Sequence, residues 1–394
     1  MMDYRAPNDD GVLHFPVKLR PYALPRNLSL LPPRPWLARG LLMRRCITEL
    51  IGASSIGKSS LMAGIGMHLA AGRDFGRFAV PVRCKFAFLT IEEDEDELDR
   101  RIGALAERLN FSHEDLRGHF DVIDIDRPAT LAAVNRKGVL VATAKLQELE
   151  LQLARKGIDV IGLDPFAELH EAEENNNGQM RAAAGFIRDM VHRIDAACLL
   201  SHHSRKGAMT PGDLDAGRGG SSLGGLVRLA FTLTQATSEM AQFLGIEDQP
   251  ELWRNLVRLD QAKANHLARN APTDWFRWQS VDLKNGEPGF SDHVGVLTPW
   301  QPPGIFEGVS VFRINQVLDR IVAGMPDGDL YSARRRSPER WAGLLLIAEF
   351  GFSDEQAKRG LAAWMESGLV YETDFIDTRG RNRNGIKVNN AKRP

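Results

Sequence analysis

The sequence predicts an α/β fold built on a parallel sheet covered on both faces. Two observations carry this. Short apolar runs recur between residues 44 and 283, separated by stretches of helical periodicity. A glycine-rich segment sits where the first run ends and a helical pattern begins. With 43% hydrophobic residues, the chain also has enough apolar material for a sizeable core.

Taken in order, residues 1–40 are rich in proline and arginine, including Pro32-Pro33-Arg34-Pro35, and predict an extended arm. The strand candidates are Ile47–Ile51, Phe86–Ile91, Val160–Leu163, Cys198–Leu200 and Arg228–Leu233, within a domain expected over 41–283. Residues 284–309 hold Pro288, Pro299, Pro302 and Pro303 with several glycines and predict a linker. Residues 310–394 change character to short helices followed by strands, a second small domain. A length of 394 residues suits that division: too long for one ordinary domain, short for three.

Composition removes several classes. The 50 Lys and Arg against 51 Asp and Glu exclude a basic coat protein and an acidic solvating tail. The cysteines, Cys46, Cys84 and Cys198, lie far apart, which excludes a disulfide scaffold and a thiolate zinc site and fits a reducing compartment. No stretch approaches the roughly 18 apolar residues of a membrane span. The start, Met1-Met2-Asp3-Tyr4-Arg5, lacks the charged-then-apolar order of a signal peptide, so the expected location is the cytoplasm.

Gly52-Ala53-Ser54-Ser55-Ile56-Gly57-Lys58-Ser59 has the form G-x-x-x-x-G-K-[ST], and Ser60 follows it. The glycines let backbone N–H groups turn inward on phosphates. Lys58 can reach the outer phosphates, and the Ser59 hydroxyl can hold Mg²⁺. Val160-Ile161-Gly162-Leu163-Asp164 is an apolar strand ending in an acid, which places Asp164 for the same metal. Phosphoryl hydrolysis also needs a carboxylate to orient or deprotonate water. Asp164 is followed by proline rather than a second acid, so the base comes from elsewhere. The run 86–91 ends in Glu92-Glu93-Asp94, at the strand end where α/β sites lie, and Glu92 is the candidate. The same acids also favour a helix N-terminus.

The full set resembles the RecA/DnaB-type ATPases, most closely the plasmid hexameric replicative helicase RepA and its relatives. The resemblance covers roughly residues 30–283. It rests on the phosphate motif, Phe88-Leu89-Thr90-Ile91-Glu92-Glu93, Leu163-Asp164-Pro165 followed by Glu173-Glu174-Asn175, His202-His203-Ser204-Arg205-Lys206-Gly207, Gly217-Arg218-Gly219-Gly220-Ser221-Ser222, and Ala262-Lys263-Ala264-Asn265. It implies a RecA-like fold that uses ATP and Mg²⁺, with Glu92 as catalytic glutamate and Arg101 nearby. His202 and His203 are implied as sensors of the γ-phosphate. Arg205 and Lys206 are implied on a loop that contacts DNA. Arg218 is implied as a finger reaching a neighbouring subunit's nucleotide, with Lys263 pointing across the same interface. Where DnaB itself has Lys-x-Arg, this sequence ends in Asn265, so Arg218 carries the finger role. Arg101 can also pair with Glu97 on its own helix.

In the C-terminal region, residues 331–394 hold 12 Lys and Arg against 8 Asp and Glu. Trp341–Glu349 reads as a helix, Gly351 as a turn, and Ser353 with Gln356 as the capping box of a second helix. Gly368 ends that helix, and Leu369-Val370-Tyr371 begins a strand. Residues 378–385 form a hairpin tip that carries Arg379, Arg381 and Arg383. Helix–turn–helix followed by a hairpin resembles a winged helix, with the tip arginines on duplex phosphates or the wing serving a protein partner. The expectation is a hexameric ring acting as a DNA helicase on single-stranded DNA, in the replication of a mobile element. The alternatives are an ATP-switched DNA-binding regulator or recombination mediator that does not unwind, and a scaffold with a silent phosphate loop. The near-zero net charge then sums a basic C-terminal part with an acidic remainder.

Overall fold

The computed structural model describes residues 21–22, 24, 27–205, 209–217, 223–266, 272–287 and 289–394. The chain divides into residues 1–35 and 36–394. Among the described residues of the first unit, a 3-10 turn, Leu28–Leu30, is capped by the Asn27 side chain, and its leucines are exposed. The expected arm therefore ends earlier than residue 40. Trp36–Ala38 (β1) and Leu42–Met43 (β2) form a small antiparallel ribbon that belongs to the second unit and buries Leu37, Ala38 and Leu42.

The second unit then alternates strand and helix. Ile47–Gly52 (β3) leads into Lys58–Ala71 (α1), and Phe86–Thr90 (β4) into Glu95–Arg108 (α2). After the short helix His113–Leu116 (α3) come Phe120–Val122 (β5) and a side ribbon of Ala132–Val134 (β6) and Leu140–Ala142 (β7). Ala144–Lys156 (α4) precedes Val160–Asp164 (β8), and Asn177–Arg193 (α5) precedes Ala197–His203 (β9). Leu229–Gln235 (β10), Leu256–Ala264 (β11), Asp274–Asp282 (β12) and His293–Trp300 (β13) complete a nine-stranded sheet of order β13-β12-β11-β10-β3-β9-β8-β4-β5. The strands from β10 to β5 are parallel, and β11, β12 and β13 extend them antiparallel. This is the predicted mixed α/β fold, with a RecA-like P-loop ATPase core.

The two faces of the sheet follow from side-chain alternation. Leu50 and Leu199 pack with Leu61, Met62 and Ile65 of α1. Ile47, Cys198 and Leu200 pack with Leu149 and Leu153 of α4 and with Ile187 and Met190 of α5.

The expected linker at 284–309 is largely not one. It contains β13, paired with β12 from Trp275↔Trp300 to Asp282↔His293, and Val294, Val296 and Leu297 are buried. The proline signal misleads here because β13 is an edge strand, where Pro299 forfeits no inner ladder bond.

The C-terminal region packs Val311–Ala323, Gly343–Phe350 and Asp354–Glu366 around Trp341, Leu346, Leu361 and Trp364. The capping box is present: Ser353 accepts from the Gln356 N–H at 3.3 Å, and Gln356 Oε1 accepts from the Ser353 N–H at 2.7 Å. Val370–Ile376 (β14) and Asn382–Val388 (β15) form the hairpin, so its tip is 377–381 rather than 378–385. Arg359 donates to the carbonyls of Pro303 and Phe243, at 3.0 and 3.4 Å, which ties the last helix to Ser238–Leu244.

Gly66 is where α1 lies closest to β4: a Cβ there would stand 2.4 Å from two atoms of the Phe86 ring. Gly66→Ala gains about 1 kcal/mol in helix propensity but overpacks a closed site at about 1–3 kcal/mol, so a net loss of up to about 2 kcal/mol is expected. Urea unfolding at unchanged m-value measures it.

Candidate nucleotide site

Strands β3, β9, β8 and β4 are neighbours, so their C-terminal ends converge on one cavity, the usual ligand position in an α/β sheet. The cavity encloses about 950 Å³ and is lined by the phosphate loop, Glu92, Glu93, Arg101, Asp164, His203 and Trp278.

The loop between β3 and α1 turns through Ser55 at φ +60° and Gly57 at φ +107°. Gly57 is required twice over. Its backbone is left-handed, and a Cβ would lie 3.0 Å from both Trp278 of β12 and Leu297 of β13. Gly57 caps α1 without a side chain, so the first N–H groups of that helix remain available to an anion. The Lys58 ammonium donates to the Gly52 and Ala53 carbonyls at 3.1 and 2.8 Å and lies 3.3 Å from His203 Nδ1. Burial pushes its pKa down, while Asp164 and Glu92 push it back up.

Asp164 ends β8 and is buried. Its Oδ1 accepts from the Ser201 hydroxyl, and its Oδ2 is buried with no partner. A buried carboxylate oxygen left open beside Lys58 and Ser59 fits a cation, because such an atom is costly unless something satisfies it. Ser54 Oγ lies 3.3 Å from His203 Nδ1. Ile56 is buried beneath the loop.

The two glutamates after β4 differ. The Glu93 side chain is 11% exposed and ion-paired with Arg101, which also donates to Glu97 at 3.0 Å. Arg101 therefore satisfies α2 and Glu93, the pairing its position on the helix allowed. The Glu92 side chain is 53% exposed, and its Oε1 is 4.0 Å from His203 Nε2. Burial, then the Asp164 charge, raises the Glu92 pKa, and Lys58 opposes them.

The structure separates the histidine pair. His203 faces the cavity, whereas His202 points through the other face of the sheet, with Nδ1 2.7 Å from Glu49 Oε1. Successive residues on one strand cannot share a face, so only His203 reaches the phosphate region. Ser60 lines the cavity, but its hydroxyl accepts from the Leu297 N–H at 2.9 Å and anchors α1 to β13. The Lys263 ammonium donates to the Gly224 carbonyl of its own chain. Arg205 is exposed where the chain leaves β9. Lys206 and Arg218 lie outside the described residues.

At the hairpin, Arg381 on the tip and Arg383 in β15 are not free cations. Both bond the Asp377 carboxylate, at 3.1 and 2.9 Å, and Asp377 also accepts from the N–H groups of Arg379 and Arg381. The Arg381 N–H, the Arg383 guanidinium and the Arg379 N–H hold that carboxyl well below the usual range. Arg379 is exposed.

Three contributors escaped the sequence reading: Ser201, Trp278 and Glu49. Only Glu49 carried a signal, a charge in the middle of an apolar strand.

The AAA domain family matches residues 16–209 of the chain. Among solved structures, the chain is similar to a KaiC-like protein from the hyperthermophilic archaeon Pyrococcus horikoshii, at 12% identity and a TM-score of 0.41, over 67% of this chain and 94% of that one. The phosphate loop, the acid on β8 and the match over residues 16–209 support a RecA-type P-loop ATPase. No helix among the described residues is long and apolar enough to cross a membrane.

His170 follows β8 with its ring 4.4 Å from Phe166 and its Nε2 buried without a partner. Burial, then the nearby His202, lowers its pKa from 6.5 to about 4. Below pH 6.5 the unfolded chain therefore binds the extra proton, and stability falls as pH drops through 4, by about 3 kcal/mol at completion. Urea midpoints across that window should fall more steeply for the parent chain than for His170→Phe.

Proposed function

We propose that this protein is an ATP-driven DNA motor, a ring-shaped helicase of replicative type that tracks on single-stranded DNA. The observation that carries the ATPase part is the open Oδ2 of buried Asp164 beside Lys58, with Glu92 on the other wall of the same cavity. Loop N–H groups and Lys58 bind the phosphates of ATP. Ser59 and Asp164 would hold Mg²⁺, which neutralises phosphate charge when bound. Glu92, its pKa raised towards working pH, accepts the proton of the attacking water. The pairing of Glu93 with Arg101 favours Glu92 for that role. His203 senses the γ-phosphate through its contacts with Lys58 and Glu92.

The DNA part rests on the motif set and on charge. Arg205 stands where the chain leaves β9, with Lys206 next in sequence, and a ring would turn these cations to its channel. Arg218 and Lys263 act across a subunit boundary, in a hexamer, on the neighbour's nucleotide; Lys263 would exchange its carbonyl partner to do so. The C-terminal helices and hairpin serve as a winged helix. Arg379 is its leading phosphate contact, and Asp377 holds Arg381 and Arg383 in register behind it. Such binding is local and weakens with salt.

Glu92→Gln should bind ATP normally and lower kcat by about 10²–10⁴. Turnover near the parent rate would move the base elsewhere. On a forked DNA substrate with ATP, the parent chain should separate strands and Glu92→Gln should not. Tight ATP-dependent duplex binding without strand separation would instead identify an ATP-switched regulator and sink the helicase reading.

A further inference from the structure

Glu49 sits in the middle of β3, three residues before Gly52, with 1% of its surface exposed. A carboxylate at such a position is strongly unfavourable unless it is bonded. Its Oε1 is 2.7 Å from Nδ1 of His202, itself 3% exposed. The Phe166 ring closes one side of that imidazole, edge-on at 6.4 Å. Gly217 closes another: a Cβ at Gly217 would lie 3.0 Å from His202 Nδ1, 3.2 Å from its Cε1 and 3.7 Å from Glu49 Oε1. The Gly217 backbone therefore rests on the bonded pair.

Gly217 is where the loop after β9 returns. It forms a bridge with Ser204, and the Arg205 N–H donates to the Ala216 carbonyl at 2.8 Å. The Ser204 N–H donates to the Gly52 carbonyl at 3.0 Å, the same oxygen that accepts from the Lys58 ammonium. The base of this loop is thus held at two points, the His202 ring and the phosphate loop. His203, between His202 and Ser204, is the residue aimed at the cavity.

We infer that Glu49 is a positioning residue: through His202 it seats Gly217 and Ser204, and so fixes the direction of His203. The kinetic consequence rests on the ATPase reading above; the seat itself does not.

Two variants of the full chain attack the seat from opposite sides. Glu49→Ala removes the carboxylate, and Gly217→Ala pushes chiefly on the ring while leaving the Glu49 carboxylate in place. Losing one buried, charge-assisted hydrogen bond should speed amide exchange at Ser204, Arg205 and Gly217 by about tenfold in both, leaving α1 unchanged. Glu49→Gln, which keeps the acceptor oxygen, should restore exchange close to the parent. ATP turnover should fall by about tenfold in kcat for Glu49→Ala and Gly217→Ala, with KM for ATP within about twofold, since the phosphate cradle is intact. Unchanged exchange in Gly217→Ala overturns the seat even if Glu49→Ala does not fold. Faster exchange with parental kcat overturns the link to His203. A parent chain that binds no ATP defeats the ATPase reading, while the exchange result still decides the seat.

Discussion

Strand alternation along β9 organises most of this site. A strand in the middle of a parallel sheet must send successive side chains to opposite faces, and Ser201, His202 and His203 obey. Ser201 fixes Asp164 and His203 meets Lys58 on the phosphate side, while His202 is carried through the sheet to Glu49. One short run of residues therefore serves both the cavity and the base of the loop that leaves it. Because β9 lies between β3 and β8, the phosphate loop and the acid Asp164 stand on either side of it.

The antiparallel strands are part of the site rather than an appendage. Trp278 and Leu297 close on Gly57, and the Leu297 N–H holds the Ser60 hydroxyl. The phosphate loop is thus clamped between its own β3–α1 turn and the far end of the sheet, some 240 residues away in sequence. Such clamping limits the backbone freedom of a glycine-containing turn.

Charge is handled differently in the two halves of the chain. Around the cavity, carboxylates are left open or partly open: Asp164 Oδ2 is unpaired and the Glu92 side chain is half exposed. At the C-terminal hairpin the reverse holds, with one buried carboxylate, Asp377, gathering Arg381, Arg383 and two backbone N–H groups. The first arrangement leaves a buried carboxylate oxygen unsatisfied and the second is satisfied as it stands, which separates a candidate ligand site from a structural joint.

The α/β class, the strand–loop–helix at 47–71, the acid at the end of β8 and the capping box at Ser353 were all legible in the sequence. Each depends on residues adjacent in the chain and on a short period or spacing. Partners distant in sequence were not legible. The proline-rich stretch 284–309 concealed an edge strand, because proline there loses only a bond that an edge does not make. The histidine pair reads as one unit when the strand is taken to end at Leu200; β9 runs on to His203, so the pleat sends the two to opposite faces. Ser60, Lys263, Arg381 and Arg383 were assigned to ligands by position, yet each bonds within the fold. Sequence alone thus determined where the candidate phosphate loop lies. Tertiary structure decided which acids stay open to it, because burial and pairing are set by strands that meet only after folding.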